Sequence, residues 1–282
     1  MHGIFDSETT DVVESNSCGM QFLEPLMTEE EEEDYYDGYY RKQDGRRFRK
    51  MNLFDQQEQS FLHYEQYRDV YLELVEGSLS ILEIGCGTGG FLRFLQVHRP
   101  DIRFVATERC VENADFVRQK FGESTVVSEL DSLNGESFDS ILVFGVFEHL
   151  RESRKFLLSV RPFLNIEGQL VLKVPNKENV LVYAYDLEEF KRFMYMKQHY
   201  YTFTERSFEV LADLTGYQVK KFHYVQAWGL DNHLSWLRYR RSRNFSDMSK
   251  LLSPSTVSAY NLDLIERKLT DTFMVVLTPI QN

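Results

Sequence analysis

The sequence predicts an α/β protein built on a doubly wound, mostly parallel sheet, and three observations carry that prediction. Short runs such as "SILEI" (80–84) and "SILVF" (140–144) are largely apolar, as strands covered on both faces are. They alternate with stretches whose apolar residues recur at helical spacing, the pattern of βαβ crossovers. The first of these strands runs directly into "GCGTGG" (85–90) and then an amphipathic stretch. Glycines at such a strand-to-helix turn let a ligand approach the backbone.

Taken in order, residues 54–76 carry Phe54, Phe61, Tyr64, Tyr67, Tyr71 and Leu74, mostly at three- and four-residue steps, and predict an amphipathic helix. "SILEI" is the first core strand and "GFLRFLQVH" (90–98) its helix. "RFVATE" (103–108) and "VENADFVRQKF" (111–121) repeat the unit, and "STVVS" (124–128) is a short third strand. "FDSILVFGVF" (138–147) is the fourth strand, followed by the helical "ESRKFLLSVRPFL" (152–164). "GQLVLKVPN" (168–176) is the fifth, stopped by Pro175. Residues 177–198, rich in Tyr, Phe and Met, predict a helical insertion. Residues 205–214 predict a helix whose cap is Thr204 or a neighbour. "GYQVKKFHYVQ" (216–226) alternates like a strand, "YNLDLIERKL" (260–269) is helical, and "DTFMVVLTP" (271–279) is an apolar strand.

The chain has 282 residues, 43% of them hydrophobic, so it can bury a sizeable core. A net charge of -12 argues against nucleic acid, whose phosphates it would repel. Three cysteines without framework spacing fit a reducing, cytoplasmic home. The first residues lack the pattern of a signal peptide, and no apolar run is long enough to span a bilayer, so no membrane role is expected. Acids fill Glu29 to Asp34, and bases follow at Arg41, Lys42, Arg46, Arg47, Arg49 and Lys50. A solvated, self-neutralising surface accounts for this run; contact with an anionic substrate is the sharper reading.

The glycine loop fits two patterns. Gly85, Gly87 and Gly90 form G-x-G-x-x-G, the dinucleotide fingerprint; Gly85, Gly87 and Gly89, with Glu83 ahead of them, form E-x-G-x-G-x-G. In both, a helix N-terminus offers N–H groups to an anion. Glu108 closes the second strand, 25 residues after Glu83, where an acid accepts hydrogen bonds from a ribose diol. The first pattern suggests NAD and the second S-adenosylmethionine, and both carry that ribose. Glu83 separates them, because an acid in an apolar strand end needs a partner. The ammonium and sulfonium of S-adenosylmethionine supply positive charge, whereas pyrophosphate is repelled.

"LEIGCGTGGFL" resembles the first motif of the class I S-adenosylmethionine-dependent methyltransferases. "FDSILVFGVFEHLRESRKFLLSVRPFLNIEGQLVLKVPN" is similar to the later part of that family's small-molecule branch, with Glu148, His149 and Leu150 matching its Glu-His-Leu. The Leu-x-Pro-Gly-Gly turn of that branch is "LNIEGQ" here, with only Gly168 retained. The resemblance covers residues 78–226 and a last strand at 272–278. It implies a Rossmann-like sheet with one late strand antiparallel beside the fifth. It implies an enzyme using S-adenosylmethionine, with S-adenosylhomocysteine as product. By that similarity Gly85, Gly87 and Gly89 line the methionine end, with Glu83 and Cys86 in the same loop, and Glu108 holds the ribose beside Arg109. Glu129 and Leu130 read the adenine, and Phe144 with Gly145 lies near the sulfonium.

Methyl transfer to a hydroxyl needs its proton removed, which suits a histidine. His149 follows the fourth strand, and His199 lies in "QHYYTFTERSF", similar to a His-x-x-x-Phe-Thr segment of that branch. A structural hydrogen bond is the competing role for each, and Glu148 orients a histidine or binds substrate. No CxxC, HExxH or tight His–acid cluster is visible, so no metal is expected. The organisation expected is a disordered segment at 1–28, a helical lid at 29–77, and a core at 78–176, 204–226 and 271–282. Substrate-binding insertions are expected at 177–203 and 227–270. Tyr35, Tyr36, Tyr39 and Tyr40 belong to the lid, and Arg238, Arg240, Arg241 and Arg243 are candidates for a phosphate or carboxylate. The expected reaction is O-methylation of a sugar or other hydroxylated metabolite. N- or C-methylation is the alternative, with a nicotinamide-dependent oxidoreductase and a non-catalytic scaffold as rivals.

Overall fold

A computed structural model describes residues 11–35, 51–127, 129–133, 135–241 and 252–281. Tyr36, Tyr39, Tyr40, the bases from Arg41 to Lys50, and Arg243 lie outside the described residues. The elements in chain order are β1 (Asp11–Glu14), β2 (Gln21–Glu24), α1 (Glu29–Asp34), α2 (Leu53–Gln66), α3 (Arg68–Leu74), β3 (Ser80–Ile84), α4 (Gly90–His98), β4 (Arg103–Thr107), α5 (Val111–Phe121), β5 (Val126–Val127) and β6 (Phe138–Phe144). They continue with α6 (Ser153–Val160), β7 (Leu164–Pro175), α7 (Val180–Tyr183), α8 (Glu188–Met194), β8 (Tyr201–Thr202), α9 (Glu205–Thr215), β9 (Tyr217–Val225), α10 (Leu230–Tyr239), α11 (Pro254–Glu266) and β10 (Thr272–Pro279).

Seven strands form one sheet in the order β5-β4-β3-β6-β7-β10-β9. The pairs β3–β4, β3–β6, β4–β5 and β6–β7 are parallel. β10 enters antiparallel between β7 and β9, so the expected late strand is present beside the fifth core strand. Alternation along each strand divides the core. On one face Leu82, Ile141, Val143, Leu170 and Leu172 meet Leu157, Val160, Phe208 and Ala212 of α6 and α9. On the other, Ile81, Leu142, Val171 and Met274 meet Tyr64, Tyr71, Phe91 and Phe94 of α2, α3 and α4. Both faces of the central strands are dry, which is why their sequences read as continuous apolar runs.

Four expectations change. Residues 11–24, expected to be disordered or loosely attached, form β1 and β2, which pair with β8 in a second sheet. Leu23 and Met27 are buried, Leu23 N–H donating to Tyr200 O at 3.1 Å and Met27 packing with the Tyr200 ring. The helix expected over 54–76 breaks at Tyr67 (φ -118°, ψ 32°) into α2 and α3. The helix expected over 152–164 ends at Val160 and tightens into a 3-10 turn holding Pro162. The segment "LNIEGQ" is not a turn. It is the start of β7, accommodated by a register shift between Phe138 and Ser140. The cap at Thr204 is present, its hydroxyl accepting from Ser207 N–H at 3.1 Å and Ser207 Oγ accepting from Thr204 N–H at 3.0 Å.

The insertion at 177–198 forms α7 and α8, whose Val180, Leu181, Phe190 and Met194 pack with Trp236 of α10 and Leu264 of α11. Those residues are packing core, whereas Tyr183, Tyr185 and Phe193 of the same insertion are exposed. Arg238 lies over the Tyr239 ring, and the Arg240 guanidinium stands 3.8 Å from Glu189.

Helix α2 presses on the start of α4. A Cβ on Gly90 would lie 2.5 Å from Ser60 Cβ and 3.2 Å from Phe61 N. Gly90→Ala is therefore expected to destabilise the protein by about 1–3 kcal/mol through overpacking. Equilibrium urea unfolding measures it, and an unchanged midpoint would show that α2 yields freely.

Candidate functional site

The carboxyl ends of β3, β4 and β6 bring the glycine loop, Glu108 and the Glu148 turn together. Gly85, Gly87 and Gly89 all have positive φ (78°, 55° and 74°), the left-handed region that disfavours other residues. At Gly85 space adds to the constraint, because a Cβ there would sit 2.5 Å from Val146 Cγ2. Gly89 is the N-cap of α4 and brings no side-chain cap to it, so no capping side chain competes with an anion for the first-turn N–H groups. The loop is tied back by Gly85 and Cys86 N–H groups donating to Thr107 O at 2.9 and 3.0 Å. Gln57 of α2, buried, donates to Thr88 O at 2.7 Å.

Glu108 spans the two strand ends. Its Oε2 accepts from Gly87 N–H and its Oε1 from Cys110 N–H, both at 2.7 Å. Burial raises its carboxyl, and the backbone donors offset part of the rise. Glu83 lies inside β3, 3% exposed, with Oε2 lacking a hydrogen-bond partner. Burial, then the Glu108 carboxylate, lifts its pKa to about 8. Cys86 is buried in the loop, and burial holds its thiol protonated. Phe144 ends β6 half-buried, edge-on to Phe91 at 5.4 Å.

The adenine candidates follow β5. Glu129 is exposed, and Leu130 opens a 3-10 turn while packing on the core. Arg109 is exposed and lines a groove of about 530 Å³ with Glu29, Glu32, Glu33, Arg151, Glu152 and Lys155. Arg151 fixes α1 there, donating to Met27 O and, at 3.1 Å, to Glu32.

Glu148, His149 and His199 converge. Glu148 and His149 sit on the 3-10 turn Phe147–His149 after β6, and His199 precedes β8. One ligand atom from each lies within 4.8 Å of the others, and the two imidazoles meet edge to face with centroids 4.8 Å apart. Glu148 is 4% exposed, its Oε2 without a partner, and His149 Nδ1 is likewise unpartnered. Burial lifts Glu148 to about 7, its own backbone N–H and Lys173 opposing the rise. Burial, then His199, lowers His149 to about 3. The ring stays neutral, and its 4.0 Å approach to Glu148 is not an ion pair. The sequence shows both histidines but no His–acid cluster; the fold makes one from residues 50 positions apart.

Other groups at this edge were missed in the sequence. Gln57, an unremarked position in an amphipathic helix, holds the loop carbonyl. Lys173 of β7 bonds His63 Nε2 and Tyr71 Oη, each at 2.9 Å, with His63 held near 3 by burial and that ammonium. Gln226, at the end of β9, bonds the buried Asp271 and His233.

A seven-stranded sheet with its last strand antiparallel, carrying a glycine loop flanked by Glu83 and Glu108, defines a class I S-adenosylmethionine-dependent methyltransferase. The comparisons agree: the family described as "Methyltransferase domain" matches residues 47–221, and the chain belongs to it. Among solved structures, a SAM-dependent methyltransferase from Archaeoglobus fulgidus is similar at 16% identity and a TM-score of 0.51, covering 78% of this chain and 93% of that one. The plantazolicin methyltransferase BpumL, in complex with S-adenosylhomocysteine, is similar at 17% identity and a TM-score of 0.54, covering 88% and 93%. No curated protein matches the chain. Among the described residues no helix is long and apolar enough to cross a membrane. The methyl donor is S-adenosylmethionine and the product S-adenosylhomocysteine.

The charge state of Glu83 gives a testable pH dependence. Its pKa of about 8 lies above the value near 4.3 of an unfolded glutamate. Between these values the folded state holds a proton that the unfolded state has released, so stability falls as pH rises through that window. The ligand-free protein is expected to lose about 3–4 kcal/mol from this group between pH 5 and pH 8. Glu83→Gln should flatten the slope. Thermal unfolding across that range measures it, and parallel slopes in the two proteins would remove Glu83 as the cause.

Proposed function

We propose that this methyltransferase acts on a hydroxyl group of a small molecule, a sugar or other hydroxylated metabolite. The observation that carries the reading is the convergence of Glu148, His149 and His199 within 4.8 Å at the end of β6, the strand adjoining β3 and its glycine loop. An oxygen nucleophile must shed a proton as it attacks, and groups that accept or orient protons belong beside it. S-adenosylmethionine, when bound, supplies an electrophilic methyl on a sulfonium.

The residues fit that donor. Three positive-φ glycines leave a cradle without Cβ atoms, the start of α4 suits a carboxylate, and Glu108, joined by Glu83 once a bound cation drives off its proton, places negative charge beside the donor's ammonium and sulfonium. In this reading Gly85, Cys86, Gly87 and Gly89 hold the methionine end and Glu108 the ribose, next to Arg109. Glu129 and Leu130 meet the adenine, and Phe144 closes the site near the methyl. His149 and His199 receive or relay the acceptor's proton, with Glu148 fixing the pair. Residues 177–203 and 227–270 shape the acceptor side, a small acceptor also suiting the fold shared with the plantazolicin methyltransferase.

The groove beside Arg109 favours one second reading. Four glutamates line it against Arg109, Arg151 and Lys155, a wall that attracts a cationic amine, and N-methylation would follow. The bases behind the anionic-acceptor expectation lie mostly outside the described residues. The two readings separate in one experiment. Purified protein and S-adenosylmethionine are incubated with matched panels of sugars, phenols and amines, and products are read by mass spectrometry. Hydroxyl methylation supports the proposal; products confined to amines would replace it with the second reading.

A further inference from the structure

Each member of the Glu148, His149 and His199 cluster presents a metal-ligating atom. The Glu148 side chain is buried, and its Oε2 has no donor facing it. A buried carboxylate oxygen left so costs free energy unless something positive meets it. His149 Nδ1, also unpartnered, offers a lone pair while the ring is neutral. His199 Nδ1 lies 3.0 Å from Met194 O. Donating there sets the tautomer with its lone pair on Nε2, the outer hydrogen bond that orients ligating histidines. Glu148 Oε1 stands 3.9 Å from where a Gly145 Cβ would be, so the cluster lies directly beyond the end of β6.

We propose that Glu148, His149 and His199 form a site for one divalent first-row transition cation of the zinc, cobalt or manganese kind. This rests on the methyltransferase reading of the same edge of the sheet and names what operates there. Two imidazoles and one carboxylate are the donors such ions take, whereas magnesium and calcium favour oxygen. Ligand atoms around a tetrahedral ion stand about 3–4 Å apart, so side-chain rotation closes the 4.8 Å set. Three protein ligands leave a position open for an acceptor's oxygen. A hydroxyl held there is more acidic, and its proton passes to water. The cation thus positions and acidifies the acceptor, and with it bound the two histidines act as its ligands in place of receiving the proton themselves.

Cobalt is the probe. The full chain, freed of metal by a chelator, is titrated with Co²⁺ and read by its visible d–d absorption. Saturation at one Co²⁺ per chain, reversed by Zn²⁺, is expected. E148Q and H199A should each weaken binding about 10–100-fold. H199N serves if H199A fails to fold, and circular dichroism reports folding in each. Wild-type protein that takes up no stoichiometric cobalt overturns the proposal, as do folded variants that titrate like wild type. Calorimetry with S-adenosylhomocysteine on the same samples keeps the readings apart. Its binding without cobalt uptake sinks only the cation site, whereas cobalt uptake without its binding sinks the donor site.

Discussion

Replacing Glu148 with glutamine is expected to lower kcat by about two to four orders of magnitude while leaving the affinity for S-adenosylhomocysteine within about twofold of wild type. The change is nearly isosteric, so the 3-10 turn Phe147–His149 keeps its packing, with Phe147 fully buried against Phe203 and Phe208. What is lost is an oxygen able to carry negative charge beside His149 and His199. That charge orients the imidazoles whether they take the acceptor's proton or hold a cation, and it matters most as the oxygen nucleophile develops. The donor, by contrast, is held by the β3 loop and Glu108, whose hydrogen bonds do not involve Glu148. The effect should therefore fall on kcat. Steady-state kinetics with a methylated acceptor and calorimetry with S-adenosylhomocysteine measure the two halves. An unchanged kcat would remove the cluster from the chemistry, and a comparable loss in donor affinity would make Glu148 a scaffold residue.

How much of this was legible in the sequence depends on how far apart the interacting residues lie. The strands β3, β6 and β7 are covered on both faces, and their apolar runs announce them. The glycine loop is legible for a local reason: three alternate positions adopt left-handed φ, and only glycine does so cheaply. The small sheet is the opposite case. β1 and β2 carry four residues each, and the partner strand β8 lies about 180 positions away, so nothing local marks them as more than polar chain. The catalytic candidates fall between these cases. His149 and His199 were each visible as single residues, the first after a strand and the second ahead of a helix. Their edge-to-face contact and the unpartnered Glu148 oxygen arise only when β6 and the segment before β8 meet. Gln57 left no signal, because a glutamine on an amphipathic helix gains meaning only where Thr88 O arrives opposite it.

Replacing Glu108 with alanine is expected to weaken S-adenosylhomocysteine binding by about 10²–10⁴-fold, the loss of two hydrogen bonds to a charged group at about 1.5–3 kcal/mol each. The geometry gives this carboxylate two jobs, and their consequences differ. One is bracing: Oε2 and Oε1 already accept from Gly87 and Cys110 N–H groups at 2.7 Å, so the alanine variant also loosens the loop. The other is the proposed grip on the ribose. A carboxylate has about four lone-pair sites, and two backbone donors leave room for a diol. A thermodynamic cycle separates them, using S-adenosylhomocysteine and its 2′-deoxy analogue against wild type and Glu108→Ala. If the carboxylate holds the ribose, removing the hydroxyl weakens binding to wild type and changes little in the variant, a coupling of about 1.5–3 kcal/mol. If Glu108 only braces the loop, both proteins lose the same amount on deoxygenation and the coupling vanishes. The burial that raises this carboxyl sharpens the contrast, because a carboxylate drawn out of water gains more from a ribose donor than an exposed one does.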